Sequence, residues 1–193
     1  MDGTHRPAAK HSLWVPDDSV NDPALGESYN PGPEVRAPFF ATPFVADFIG
    51  REAGGGVVRV LEESFLTGYA VFDPAGGAVE RVALVNLRYW GAGNGTRPSE
   101  VFALPVPDGV EGVTVRRLHA DAGAAAQGDD VDGTTITWAG ETWSFAVDDG
   151  KGHLTGAPVE ERVEVCGGVA GVEVPDSEAV IVYFGQGEGG GWQ

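Results

Sequence analysis

With 193 residues, the chain has the length of one ordinary domain with its own core. A hydrophobic share of 42% and an aromatic share of 9% mark it as globular, and 30 glycines with 13 prolines favour many short strands over long helices. The 29 Asp and Glu against 12 Lys and Arg leave a charge of −17, which repels nucleic acid and anionic membrane surfaces and so excludes both as partners.

The opening "MDGTHRPAAKHSLW" lacks the apolar core of a signal peptide, and no later apolar run is long enough to span a bilayer. The expectation is therefore a soluble chain with no export signal of its own. Residues 1–37 are rich in Pro, Asp, Asn and Gly without periodicity, which predicts an extended, poorly ordered lead-in.

"APFFATPFVADFIGREAGGG" changes character. Phe40, Phe44, Val45, Phe48 and Ile49 recur at helical spacing and predict a short helix within 38–53. Thr42 and Pro43 fit an N-cap and first helical position, since proline lacks only an amide that would be unpaired there. Alternatively the helix starts near Pro38 and carries Pro43 in its first turns. Gly50 and Gly54-Gly55-Gly56 end it. So much Phe on one short helix requires a large partner surface.

From residue 57 the period becomes two. "VVRVLEE", "TGYAVFD", "VERVALVNLRYW", "SEVFALPV", "GVTVRRLHA", "TTITWAG", "ETWSFAV", "RVEVCGG", "GVEVP" and "AVIVYFG" are β-branched or aromatic segments punctuated by turn residues. "DPAGG" and "WAGET" read as hairpin connections. Roughly nine or ten strands without interleaved helices predict an all-β fold, an antiparallel β-sandwich over residues 54–185. "DAGAAAQGDDVDG" is a long polar loop, and residues 186–193 read as a flexible Gly-rich tail.

Chemistry-bearing motifs are sparse. The single Cys166 rules out an internal disulfide. His5, His11, His119 and His153 lack metal-site spacing, and His119, at a strand end, reads as a hydrogen-bonded rim residue. Asp129, Asp130 and Asp132 could supply calcium oxygens, but without the distal glutamate of a calcium loop they read as a solvated acidic loop. No nucleophile elbow or phosphate-binding loop is present, and "GAGNG" at 91–95 is a turn. Glu62, Glu63 and Glu141 are carboxylates at strand ends or turns, where charges face water, so they make a poor catalytic dyad. No metal or cofactor is expected. "NGT" at 94–96 makes Asn94 an N-glycosylation acceptor in a loop. Trp138 and Trp143, across a hairpin from each other, would stack on sugar rings if exposed and fill core or rim if buried; packing is the favoured reading.

Taken in order, "VRAPFFATPFVADFIG", "TGYAVFDPAGGAVERVALVNLRYW", "RPSEVFAL", "GVTVRRLHADAG", "TTITWAGETW" and "SEAVIVYFG" resemble the carboxy-terminal part of glycoside hydrolase family 79. That family contains β-glucuronidases and heparanase-like enzymes, which are often secreted. The resemblance implies a β-sandwich packed beside a (β/α)8 barrel whose two glutamates perform retaining hydrolysis. It also implies that residues 38–50 correspond to the last barrel helix, and that Phe40, Phe44, Phe48 and Ile49 are barrel-facing contacts unless they fold back on the sandwich. No catalytic residue is carried over, because the glutamate-bearing strands have no counterpart in this sequence. The expected function is a non-catalytic accessory domain, inactive alone, whose partner is a barrel domain or chain. The alternatives are a carbohydrate-binding module using Tyr89, Trp90, Trp138 and Trp143, and one half of a split hydrolase. "RVALVNLRYW" then reads as a central strand: Val82 and Leu84 face one side, Ala83, Val85 and Leu87 the other, with Asn86 meeting backbone groups and Tyr89 and Trp90 sealing the end.

Overall fold

The computed structural model describes residues 14–15, 34–50, 56–75, 77–126, 128, 135–156 and 159–185. Two-residue strands β1 (Trp14–Val15) and β2 (Glu34–Val35) pair with each other. A single 3-10 turn, Ala37–Phe40, runs directly into helix α1 (Ala41–Ile49). Then follow β3 (Gly56–Glu62), β4 (Leu66–Phe72), β5 (Val79–Asn86), β6 (Ser99–Pro105), β7 (Gly112–Ala120), β8 (Ile136–Trp138) and β9 (Glu141–Trp143). A short helix α2 (Phe145–Asp148) precedes β10 (Gly152–Leu154), β11 (Glu161–Cys166), β12 (Val169–Pro175) and β13 (Glu178–Tyr183).

The fold is all-β, as the sequence predicts, and every ladder is antiparallel. The large sheet runs β10-β9-β8-β7-β13-β5-β4-β3. β11 pairs with the start of β7, then turns tightly into β12, which pairs along its length with β6. One strand thus carries the ladder from the large sheet to a small one, and the sheet curls into a sandwich. Val82, Leu84, Val113, Val115, Val172, Val174, Val180 and Val182 fill the space between the layers.

The opposite face of the large sheet is also covered. Phe44 and Phe48 of α1 pack on Val71, Ala83, Ile181 and Trp138. Burying each such phenylalanine contributes about 1.5–3 kcal/mol. β5 is therefore apolar on both faces for a reason internal to the chain: Val82 and Leu84 meet the small sheet, Ala83 and Val85 the helix layer. Leu87 departs from that reading. It lies past the end of β5 and is exposed.

Three local expectations need correction. Thr42 is not an N-cap: the 3-10 turn continues into α1, with Phe40 at the cap and Pro43 in the first turn, where amides lack intrahelical partners. The "WSFAV" part of the strand expected across 141–147 leaves the ladder after Trp143 and closes into α2. Tyr89 does not seal the sandwich end but stands exposed. Within 54–185 the described residues form eleven strands, β3 to β13, close to the nine or ten expected, with the three-residue β10 not foreseen. "WAGET" does form a two-residue hairpin. Ala139 and Gly140 both have positive φ (50° and 86°), the backbone of a type I′ turn. Gly50 ends α1 at φ 74°, and a Cβ there would lie 2.7 Å from the Arg81 guanidinium.

Candidate functional site

One end of the large sheet gathers Asn86, Asp176 and Glu178, three of the four buried polar side chains among the described residues. The β12–β13 turn brings Asp176, Ser177 and Glu178 beside the end of β5, the residues that follow it, and Arg97. Asn86 donates through Nδ2 to the Val174 carbonyl (3.1 Å) and to Asp176 Oδ1 (2.9 Å), and accepts the Arg88 amide (3.1 Å). Three partners leave that buried amide satisfied. Ser177, at φ 59°, accepts the Trp90 amide on Oγ (3.0 Å) and donates to the Arg88 carbonyl (2.9 Å). The "NLRYW" segment is thereby fixed to the turn.

Arg97 ties the remaining pieces together. Its Nε donates to the Asp176 carbonyl (2.7 Å), and its terminal nitrogens reach the carbonyls of Ala120 and Ser177 (3.1 Å each). The guanidinium pairs with Glu178 at 2.8 Å and lies over the Trp90 ring, 4.9 Å from its centre. The Glu178 side chain is 2% exposed, and the Arg97 guanidinium compensates its buried charge. His119 faces the same Glu178 oxygen, with Nδ1 2.5 Å from it and Nε2 3.0 Å from Asp121. These contacts, the one to Glu178 foremost, raise the His119 pKa above that of a free imidazole, against desolvation.

Two clefts open beside this network. One, about 220 Å³, lies between the Ala37–Phe40 turn, the end of β7 and the Gly123–Ala126 turn. The other, about 330 Å³, is lined by Val85, Leu87, Leu118, Ala124 and Ala179 with Ser177 and Glu178. Leu118, Ala124 and Ser177 border both. Gly123 allows the close approach that forms the wall: at φ 57°, its Cβ would fall 2.5 Å from the Trp90 carbonyl. The polar groups at the rim are spent on internal bonds, so the clefts offer mainly apolar surface.

Trp138 is 2% exposed, its ring edge-on to Phe44 at 5.2 Å. Trp143 is partly buried and packs at 5.7 Å on both Phe39 and Phe40. The two tryptophans hold the helical segment to the sheet, and neither offers a free stacking face there. Phe40, Phe44 and Phe48 are buried within the chain, whereas Ile49 and Val45 stand on the outer surface of α1. Asn94 is exposed in the turn between β5 and β6, its backbone N–H donating to the Gly91 carbonyl. Glu62 and Glu63 sit at the end of β3 and Glu141 on β9, with five strands between, too far apart for a dyad. The Asp129–Asp132 loop, His5, His11 and the tail lie outside the described residues. Among the described residues no cluster of three His, Cys, Asp or Glu side chains could hold a metal ion. Arg97, Asp176, Ser177 and Glu178 were not singled out by sequence reasoning. A charged "DSE" between two apolar runs was the available signal, and it looks like any surface hairpin turn.

Several large apolar side chains outside the core are exposed. Leu87 bonds through its amide to the Phe65 carbonyl (2.8 Å), and both side chains, like Tyr89, are exposed. Val57, opposite Val71 at the other end of the β3–β4 ladder, is exposed separately on edge strand β3.

The model of the glycosyl hydrolase family 79 C-terminal beta domain matches residues 68–181, more than half of the chain. The chain belongs to this family. The matched span runs from β4 into β13, so it includes both layers of the sandwich and the Arg97 network up to Glu178. The family 79 domain is also similar to a solved structure, a 4-O-α-L-rhamnosyl-β-D-glucuronidase from Fusarium oxysporum 12S in complex with Rha-GlcA. The identity is 27% and the TM-score 0.63, over 78% of this chain and 30% of that one. The chain thus spans under a third of the length of that enzyme. A comparison with curated proteins finds no match.

Proposed function

We propose that this family 79 domain is a non-catalytic accessory domain that braces the (β/α)8 barrel of a glycoside hydrolase acting on β-glucuronides. The observation that carries the reading is the match of this chain to the C-terminal beta domain and to 30% of a glucuronidase chain. Two features of the site support it. The buried carboxylates Asp176 and Glu178 are committed to Asn86, Arg97 and His119 and are not free for acid–base work. The outer side of α1, Val57 and the Phe65–Leu87–Tyr89 group give apolar surface of the kind that domain interfaces cover. The purified chain is expected to show no turnover of an aryl β-glucuronide, and a barrel-containing partner is expected to co-elute with it on size exclusion. Robust turnover by the chain alone would overturn the reading.

A second reading, carbohydrate binding, is favoured by one observation: Tyr89 is 73% exposed, beside exposed Leu87. Stacking on sugar would then use Tyr89 rather than Trp138 or Trp143. Calorimetric titration with a glucuronic acid disaccharide, comparing wild type with Tyr89→Ala, separates the two readings. Heat lost in the variant supports binding there.

A further inference from the structure

The charges around His119 form a closed set. Both ring nitrogens face carboxylate oxygens: Nδ1 meets Glu178 Oε1 on β13, and Nε2 meets Asp121 Oδ1 in the turn that follows β7. A carboxylate can only accept, so both bonds are made only when both nitrogens carry protons, that is, by the imidazolium. The neutral ring has one N–H and must turn a lone pair toward one of the two acids. The other charge present is Arg97, 2.8 Å from the same Glu178 oxygen. Asp176 is close by, but its carboxylate is turned to Asn86 while its carbonyl holds Arg97. β8 places uncharged Thr137 opposite His119, and the Ala37–Phe40 turn brings no charge to the cleft. Two cations therefore balance two carboxylates when His119 is protonated, and one negative charge is left over when it is not.

The two contacts would not fail together. Glu178 is buried and held by Arg97, whereas the Asp121 side chain is 84% exposed. Losing the Glu178 bond would strand a desolvated carboxylate opposite a lone pair, while Asp121 can exchange its bond for water at little cost. The neutral ring accordingly keeps its proton on Nδ1 and gives up Asp121.

We propose that His119 is a proton-operated clamp: as the imidazolium it fastens the Asp121–Ala126 turn to β13, and on losing its proton it releases Asp121 and loosens the wall that this turn gives to both clefts. The turn retains main-chain ties, Ala124 N–H to the Trp90 carbonyl (2.8 Å) and Ala92 N–H to the Ala122 carbonyl (3.3 Å). Release therefore loosens the turn without detaching it. Ala124 borders both clefts, so their shape follows the state of this ring.

The test follows the His119 ring by NMR across pH 5–9, together with amide hydrogen exchange of residues 122–126 corrected for intrinsic rates. In the wild type the ring is expected to titrate above the free-imidazole value of about 6.5, and protection of the turn is expected to fall through the same midpoint. Asp121→Asn, at an exposed position, is expected to lower the midpoint while leaving the fold intact. His119→Gln is expected to give low turn protection at every pH; if it fails to fold, the Asp121→Asn comparison decides alone. A midpoint at or below that of free imidazole, or turn protection in the wild type that ignores the ring's titration, would overturn the clamp.

Discussion

Arg97 and Glu178 form a buried ion pair at 2.8 Å, with side chains 13% and 2% exposed, that joins the loop before β6 to the start of β13. Such a pair adds little net stability over an apolar replacement, but removing one member leaves an uncompensated charge inside the fold. Arg97→Met is expected to cost about 3–5 kcal/mol in urea unfolding. The double variant Arg97→Met/Glu178→Leu should recover part of that loss. A single variant as stable as wild type would mean that water already screens the pair.

The core and exposed aromatic assignments can be separated by stability alone. Trp138→Ala removes a core ring packed on Phe44 and is expected to cost about 3–5 kcal/mol. Tyr89→Ala, at an exposed site, should stay within about 0.5 kcal/mol of wild type. Thermal melts of the two variants, followed by circular dichroism, check both values.

Helix α1 is held electrostatically as well as by its phenylalanines. Asp47 pairs with Arg116 at 2.9 Å, and its carbonyl accepts from Arg81 at 3.2 Å. Arg116 also meets Glu160 and lies over the Tyr183 ring. Asp47→Ala is expected to lose about 1.5–3 kcal/mol, the range for hydrogen bonds to charged groups. Arg59→Ala, which breaks only an exposed i,i+3 pair with Glu62, should cost less than about 0.5 kcal/mol. Hydrogen exchange should place the Asp47→Ala loss on residues 41–49. Uniform loss across the sandwich would refute a local anchor.

Glu141 carries a testable pH signature. Desolvation raises its carboxyl above the usual range, with a smaller opposing contribution from His153. The folded state therefore holds that proton to higher pH than the unfolded chain, and stability falls as pH rises from the ordinary carboxylate range through the raised value. Glu141→Gln cannot ionise. It is expected to melt above wild type at pH 7 and to lose that advantage as the pH drops below the carboxylate range. Parallel melting curves at both pH values would refute the assignment.

The strand-rich class, the helix with its phenylalanine stripe and the "WAGET" hairpin were legible in the sequence, because each rests on local periodicity or turn chemistry. Residues 81–86 also announced a strand covered on both faces. The point at which the cover ends was not legible, since Leu87 looks like Val85 in a sequence and differs only in what lies above it. The "WSFAV" segment shows the same limit: β-branched and aromatic residues also suit a helical turn once the ladder partner is gone.

The sequence by itself determined the all-β class, the register-setting alternation, the net charge of −17 and the ordered series of segments that resembles family 79. Only the tertiary structure decided that Phe40, Phe44 and Phe48 spend their burial on this chain's own sheet and that Trp138 is core. It alone brought Asn86, Arg97, His119, Asp176 and Glu178, scattered over more than ninety positions, to one end of the sandwich. The physical reason is that alternation reports which face a side chain takes, whereas a buried charge network depends on which strands become neighbours. In this fold β13, near the end of the described chain, inserts between β5 and β7, and that single placement assembles the site.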